Sequence, residues 1–307
     1  MIDLSVVIVN WNTRQFLSRC LGSVYDTTLD LDFEVIVVDN GSTDGSQEMV
    51  RREFPGVSLI ANTENKGFAK ANNQAIRRSR GRYVLLLNSD AFVRENAIEH
   101  TVAFMDGHPD AGMAGCRLLF EDGRLQPSCY SFPTLFTEFF IAVGLDRLFP
   151  RSRLFGKYGM TYWDFDDIRE VDVILGAFML VRATAMDEVG LMDERYFMYS
   201  EEVDWCYRFR EKGWKIYFYP HVEAVHLGGG STRQVRAGML IRLYGSRIEF
   251  FRKHHGRLSA RLLKLVIGFN CLLRIGPGAW YYFRSDDPQI RQKHRAFWRL
   301  LRVLPTL

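Results

Sequence analysis

The stretch FEVIVVDNGSTDGS, residues 33–46, decides how the rest of the chain is read. Its first half is apolar and largely β-branched, with almost no polar alternation. A strand of that kind has two faces to bury, which is what a parallel sheet between helical layers demands. Its second half is Asp39-Asn40-Gly41-Ser42, a cluster of short oxygen-bearing side chains at the carboxyl end of the strand. Open α/β sheets bind their ligands at that end. Thr43 or Asp44 offers an N-cap for a helix that runs to about Phe54–Pro55.

Working outward, the same alternation repeats. LSVVIVN (4–10) reads as a strand, and 12–25 has helical spacing through Phe16, Leu17, Cys20, Leu21 and Val24. VSLIAN (57–62) reads as a third strand, 67–79 as a helix, YVLLL (83–87) as a fourth strand and 95–106 as a helix. The expected fold class is α/β, a mostly parallel sheet with helices on both faces. Region 111–167 is harder to read, with aromatics at 132–140. VDVILGAFMLV (171–181) is a buried strand interrupted at Gly176.

The chain has 307 residues, 47% of them hydrophobic and 25% charged, enough for a substantial core. No run of eighteen apolar residues occurs, which argues against a spanning helix. MIDLSVVIVN at the start reads as a strand rather than a signal peptide. Five cysteines without metal spacing fit free thiols in a reducing, cytoplasmic setting. The net charge of +4 conceals an asymmetry. Residues 233–307 hold sixteen Lys and Arg against three acids, and residues 1–232 hold 24 bases against 33 acids. A basic tail on an acidic body points to an anionic partner surface, and the acidic body argues against nucleic acid.

Polar clusters stand at three strand ends: Asn10-Trp11-Asn12, Asp39-Asn40, and Asn88-Ser89-Asp90. Each alone is what a turn would also contain; their convergence is the signal. Asp90 with neighbouring oxygens suits Mg²⁺ or Mn²⁺ shared with phosphate. Ser200 is a candidate N-cap for a helix whose first turn carries Glu201, Glu202 and Asp204, an arrangement that dipole compensation also explains. Arg208 lies four residues from Asp204 and can pair with it, leaving the other acids for general-base work. His226 precedes Gly228-Gly229-Gly230-Ser231. Its imidazole could ligate Mn²⁺, but His221 is an equal rival on sequence.

The ordered set SVVIVNWN, VVDNGSTDGS, NKGFAKANN, LLLNSD, GAFMLVR, EEVDWCYR and H-x-GGGS resembles the family-2 inverting glycosyltransferases of GT-A (Rossmann-like) fold, over about residues 3–255. Within them it is most similar to rhamnosyltransferase-type enzymes of bacterial cell-surface polysaccharide synthesis. The resemblance implies that Asp39 accepts a hydrogen bond from the imide of uracil or thymine, flanked by Asn10, Trp11, Asn12 and Asn40. It places Asn65, Lys66, Gly67 and Asn72 near the ribose and donor sugar. Asp90 would hold the metal, with Ser89 beside it and Asn88 where many relatives carry aspartate; His226 would complete the shell. Glu202 stands at the position of the catalytic base, with Glu201 as the alternative. Gly176, Asp204 and Trp205 would border the acceptor.

The implied donor is dTDP-L-rhamnose or a UDP-sugar. The implied acceptor is a glycan or a polyprenyl-diphosphate-linked sugar. The expected division is a catalytic domain at 1–232, with its nucleotide half at about 1–110 and acceptor half at 111–232, followed by a basic amphipathic helical tail at 233–307. That tail, with Trp280, Tyr281, Tyr282, Phe283 and Trp298, suits an anionic membrane at the inner face of the cell membrane. Packing on the body or in a homodimer explains it equally. Three other functions compete: a nucleotidyltransferase, which would release pyrophosphate; an inactive sugar-nucleotide-binding scaffold; and, from the tail alone, a nucleic-acid binder.

Overall fold

A computed structural model describes residues 2–228, 236–276 and 288–307. Gly229, Gly230 and Ser231 of the glycine run, and Trp280 to Phe283 of the tail, lie outside the described residues. Strand and helix alternate as β1 (Leu4–Asn10), α1 (Arg14–Thr27), β2 (Phe33–Asn40), α2 (Ser46–Glu53), β3 (Ser58–Asn62), α3 (Phe68–Ile76) and β4 (Tyr83–Asn88). Next come β5 (Ala91–Val93), α4 (Ala97–Gly107), β6 (Ala111–Leu119), β7 (Leu125–Gln126) and β8 (Cys129–Tyr130). After α5 (Leu135–Val143) and α6 (Leu145–Leu148) the chain forms β9 (Arg169–Glu170), β10 (Val173–Ile174), β11 (Phe178–Arg182), α7 (Ala183–Val189), α8 (Glu201–Glu211) and β12 (Lys215–His226). Three long helices follow: α9 (Arg236–His254), α10 (Gly256–Ile275) and α11 (Pro288–Val303).

The chain divides into two compact units, and not by a single cut near 232. One comprises 1–131, 164–197 and 201–231; the other comprises 132–163, 198–200 and 232–307. The first holds a sheet in the order β3-β2-β1-β4-β11-β6-β12-β5, with β7 beside β6 and β9 beside β12. β3, β2, β1 and β4 are parallel, as their unbroken apolar sequences require. β11 enters antiparallel to both β4 and β6, and β12 runs parallel to β6. Leu4, Val6 and Ile8 of β1 pack with Leu17, Leu21 and Val24 of α1 and Val35 and Val37 of β2 in one core. The intervening Val7, Ile36 and Val38 are equally buried, so the strands are covered on both faces.

The parallel register aligns the polar strand ends. Asn10 sits opposite Asp39, Asn40 opposite Asn62, and Asn88 opposite Val9. β12 supplies the last member from a distance in sequence: its end pairs with β5, setting His226 opposite Ala91, one residue beyond Asp90. α2 begins at Ser46, later than Thr43 or Asp44, after a left-handed Gly45. Asp44 Oδ2 accepts from the Arg14 backbone N–H (2.8 Å) and its Oδ1 from the Ser46 backbone N–H (3.1 Å), so it secures the starts of both α1 and α2.

The second unit is helical. It includes the segment that was hard to read from sequence, because the aromatic α5 packs against α10. Phe139 stacks on Phe269 with ring centroids 6.4 Å apart. Arg247 of α9 donates to Glu138 of α5 and to the Tyr158 hydroxyl, both at 2.6 Å. Burial pushes the Glu138 carboxyl up, and the Arg247 charge opposes that shift. Among the described residues, no helix is long and apolar enough to cross a membrane. All five cysteines are buried and unpaired.

Candidate functional site

The loop after β1 and the loop after β2 are stitched into one polar network. Asn10 Nδ2 donates to Asp39 Oδ2 (2.9 Å) and to Ser42 Oγ (3.1 Å), while Asn10 Oδ1 accepts from the Thr13 hydroxyl (2.6 Å). Asp39 Oδ1 accepts from the Ser42 backbone N–H (2.9 Å) and from Gln47 Nε2 (2.8 Å). The Asp39 carboxylate therefore holds three donors. A carboxylate has about four lone-pair directions, so one is left to accept a further N–H. Asn12 adopts a left-handed φ of 52° and its Oδ1 accepts from the Thr43 N–H (2.8 Å). Trp11 lies half-buried between these residues. An open groove of about 690 Å³ lies alongside, lined by Asn12, Thr13, Arg14, Asp44 and Met49. Of the expected donor residues only Asn12 lines it.

Asn40 organises the next loop. Its Nδ2 donates to Asn65 Oδ1 and to the Gly67 carbonyl, both at 3.1 Å, and its Oδ1 accepts from the Lys66 backbone N–H (3.2 Å). Asn72 is buried and donates to the Phe68 carbonyl (2.9 Å), which makes it a brace within α3. Gly176 lies against the Phe68 ring. The loop is also fastened to the segment ahead of α8, since the Phe68 N–H donates to the Phe197 carbonyl at 2.7 Å. Asn73 Nδ2 donates to the Met192 carbonyl (2.8 Å) and to Glu194 Oε1 (3.0 Å).

At the end of β4, Ser89 Oγ lies 2.9 Å from the Thr13 hydroxyl, and Asp90 and His226 converge. Asp90 Oδ1 is 3.3 Å from His226 Nε2, and both side chains are nearly enclosed. Gln126 Oε1 lies 2.9 Å from His226 Nδ1, and Asn88 Nδ2 lies 3.2 Å from Nε2. Gln126 and Asn88 thus hold the ring from two sides beside Asp90. His221, the rival, is exposed and meets Tyr219 edge-on. A carboxylate oxygen and an imidazole nitrogen this close together are a donor pair whose mixed N and O chemistry suits Mn²⁺. Among the described residues no cluster of three or more His, Cys, Asp or Glu is poised for a metal. Any ion held here would share its remaining positions with phosphate and water. Gln126 was missed by the sequence reading; it sits in a two-residue strand a hundred positions from His226, with no local signal.

α8 carries the acids. Tyr199 and Ser200 both have positive φ, 69° and 64°, so Ser200 precedes the helix in a left-handed rather than the extended conformation of an ordinary N-cap. The fully enclosed Asp204 pairs with Arg208 Nε (2.9 Å), whose guanidinium also donates to the Val189 (2.9 Å) and Leu191 (2.7 Å) carbonyls. Trp205 is also fully buried; its indole N–H donates to the Gly190 carbonyl (2.8 Å). These two residues anchor α8 in the core.

Glu201 and Glu202 differ in setting. Glu201 is buried, whereas Glu202 is half-buried. Burial, and then the charge of Glu202, push the Glu201 carboxyl well above its ordinary range. The folded chain thus binds this proton more tightly than the unfolded one, and stability falls as pH rises above the ordinary glutamate pKa. Glu201→Gln should remove that loss: melting temperatures of variant and parent converge near about pH 4 and separate towards about pH 8, with the variant higher. A gap that stayed constant between those limits would mean that Glu201 is ionised in the fold.

Comparison with known proteins matches this arrangement. The model of glycosyl transferase family 2 matches residues 5–161. The chain is 30% identical to N-acetylglucosaminyl-diphospho-decaprenol L-rhamnosyltransferase of Mycobacterium tuberculosis, covering 82% of this chain and 85% of that one. It is 25% identical to the low-salt glycan biosynthesis hexosyltransferase Agl10 of Haloferax volcanii, over 73% and 67% of the two chains. Among solved structures, the mannosyltransferase PcManGT from Pyrobaculum calidifontis, in complex with GDP-Man and Mn²⁺, superposes with a TM-score of 0.53 at 17% identity. That superposition covers 100% of this chain and 88% of the other, and shows a common GT-A fold. With its strand-end polar network, its sheet and its match over more than half its length, the chain belongs to glycosyl transferase family 2.

Proposed function

We propose that this chain is an inverting, metal-dependent glycosyltransferase that moves L-rhamnose from dTDP-L-rhamnose to a hydroxyl of a polyprenyl-diphosphate-linked glycan. The observation that carries the reading is the convergence at one sheet edge of Asp39, with a lone pair left over, and the Asp90–His226 pair. The sugar and the lipid-linked acceptor are inferred from the mycobacterial relative, which is similar over most of both chains, and the thymidine nucleotide from the family resemblance.

Asp39 accepts the imide N–H of the base, and the Asn40 network holds the 65–67 loop against the donor. Asp90 and His226 would hold a divalent ion, Mn²⁺ or Mg²⁺, whose charge would offset that of the departing diphosphate. Burial and the Glu202 charge disfavour the ionised form of Glu201, so Glu202 is assigned the role of base. Glu202 takes the proton of the acceptor hydroxyl as its oxygen bonds to the anomeric carbon. The bond from that carbon to the phosphate oxygen breaks, its electron pair leaves with the diphosphate, and one displacement inverts the centre.

Calorimetry with dTDP-L-rhamnose and UDP-sugars, with and without Mn²⁺, tests the reading. The parent should bind the thymidine donor more tightly with Mn²⁺. Asp90→Ala should weaken that binding about 10- to 100-fold and abolish its metal dependence. Unchanged metal dependence in the variant would remove Asp90 from the role, and preference for a uridine donor would replace the substrate.

A further inference from the structure

α10 is apolar on two sides. Ala260, Leu263, Ile267 and Cys271 are buried where α10 packs with α5, α9 and α11. Away from that face, Leu258, Leu262, Leu265, Phe269 and Leu272 recur at alternating spacings of four and three residues, and all are exposed, Leu258 and Leu265 at 70%. This spacing draws one stripe along the helix, about 21 Å from end to end. α5 widens it through Phe139, stacked on Phe269 and itself 41% exposed, and carries Phe136, 75% exposed. A helix apolar on both sides is ordinarily enclosed by protein or lipid, and a contiguous exposed patch of this kind marks an interaction surface.

The charges choose the occupant. α10 carries Arg257, Arg261, Lys264 and Arg274 and no acid. The first three fall together along one edge of the stripe. The one acid of α5, Glu138, is buried against Arg247 and presents no negative charge outward. A second copy packed stripe to stripe would bring no acid of α10 to meet these bases. An anionic bilayer offers acyl chains to the stripe and phosphates to the bases. Neither helix is long and apolar enough to span, so the surface lies in the interface plane.

We propose that the α5–α10 surface, centred on Leu265 and Phe269, is a docking face for anionic lipid membranes. Leu258 to Leu272 enter the headgroup–acyl boundary, and the exposed Arg257 and Arg261 sit at phosphate level. Each base in that position contributes about fivefold to partitioning, an effect that salt weakens.

The test is sedimentation of the full chain with phosphatidylcholine vesicles, with and without phosphatidylglycerol. The expected result is binding only when phosphatidylglycerol is present, reduced by salt, and about tenfold or more weaker in the double variant L265E/F269E. Both positions are exposed, so the variant should keep the parent's circular dichroism and its rate of transfer to a soluble acceptor. As a second readout, a bimane probe on Leu265→Cys, selective because the native cysteines are buried, should shift to the blue on anionic vesicles. Binding unaffected by the double substitution, or an unshifted probe, would overturn the proposal. A parent that is dimeric and indifferent to vesicles, with a monomeric double variant, would assign the face to a second copy. None of these outcomes touches the catalytic reading, which the transfer assay reports separately.

Discussion

Glu202→Gln is expected to lower kcat by about 10²- to 10⁴-fold while leaving the donor's Kd within a factor of about two. The magnitude is what a positioned general base contributes. The asymmetry between rate and binding arises because proton removal occurs only in the transition state. Gln is nearly isosteric, so the packing of α8, which rests on Asp204, Trp205 and Phe209, should stand. Glu201→Gln provides the contrast. Burial and the neighbouring charge disfavour the ionised form of Glu201 and make it the poorer base, so the kcat of this variant should fall far less. The measurement is steady-state transfer with a soluble acceptor, alongside calorimetry of donor binding. If Glu201→Gln proves the more damaging, the two roles exchange. If both variants turn over normally, the proton goes elsewhere and α8 is a structural element only.

The contrast also marks where sequence was sufficient. β1, β2 and β4 were readable because their apolar runs hardly alternate, and the polar residues that end them had no other reason to cluster. Asp39, Asn10 and Asp90 came with them, since parallel register aligns strand ends automatically. The remainder depends on contacts far apart in sequence. His226 reaches Asp90 only because β12 pairs with β5, and nothing local distinguished it from His221. α5 looked irregular because its partner, α10, comes more than a hundred residues later. The anchoring role of Asp204 and Trp205 was hidden for a physical reason. Acidic and aromatic residues near a helix start resemble a ligand-binding rim, and only burial reveals an internal ion pair and an indole hydrogen bond.

The second large effect is expected at Gly67, where local backbone and site geometry meet. Gly67 has φ 86° and ψ 173°, a region that residues with a side chain essentially do not enter, at a cost of about 1–3 kcal/mol. A Cβ there would also stand 2.5 Å from the Phe197 carbonyl oxygen and 2.9 Å from its ring. That oxygen accepts from the Phe68 N–H, and the Gly67 carbonyl accepts from Asn40, so neither side can yield without breaking a hydrogen bond. Gly67→Ala should therefore cost about 3 kcal/mol or more in denaturant unfolding, adding strain to lost bonds. Gly123→Ala is the control: its φ is also positive, at 83°, but a Cβ there meets nothing within 4 Å, so its cost should stay near about 1 kcal/mol with activity intact. Activity should separate the two further. Phe197 lies five residues before Glu202, on the segment that α3 clamps through Asn73. Displacing Phe197 shifts the approach to α8, so the folded fraction of Gly67→Ala should transfer sugar slowly even where it still binds the donor. If Gly67→Ala matched Gly123→Ala in both stability and rate, the 65–67 loop and α8 would be independent. The positioning of Glu202 against the donor would then need another cause.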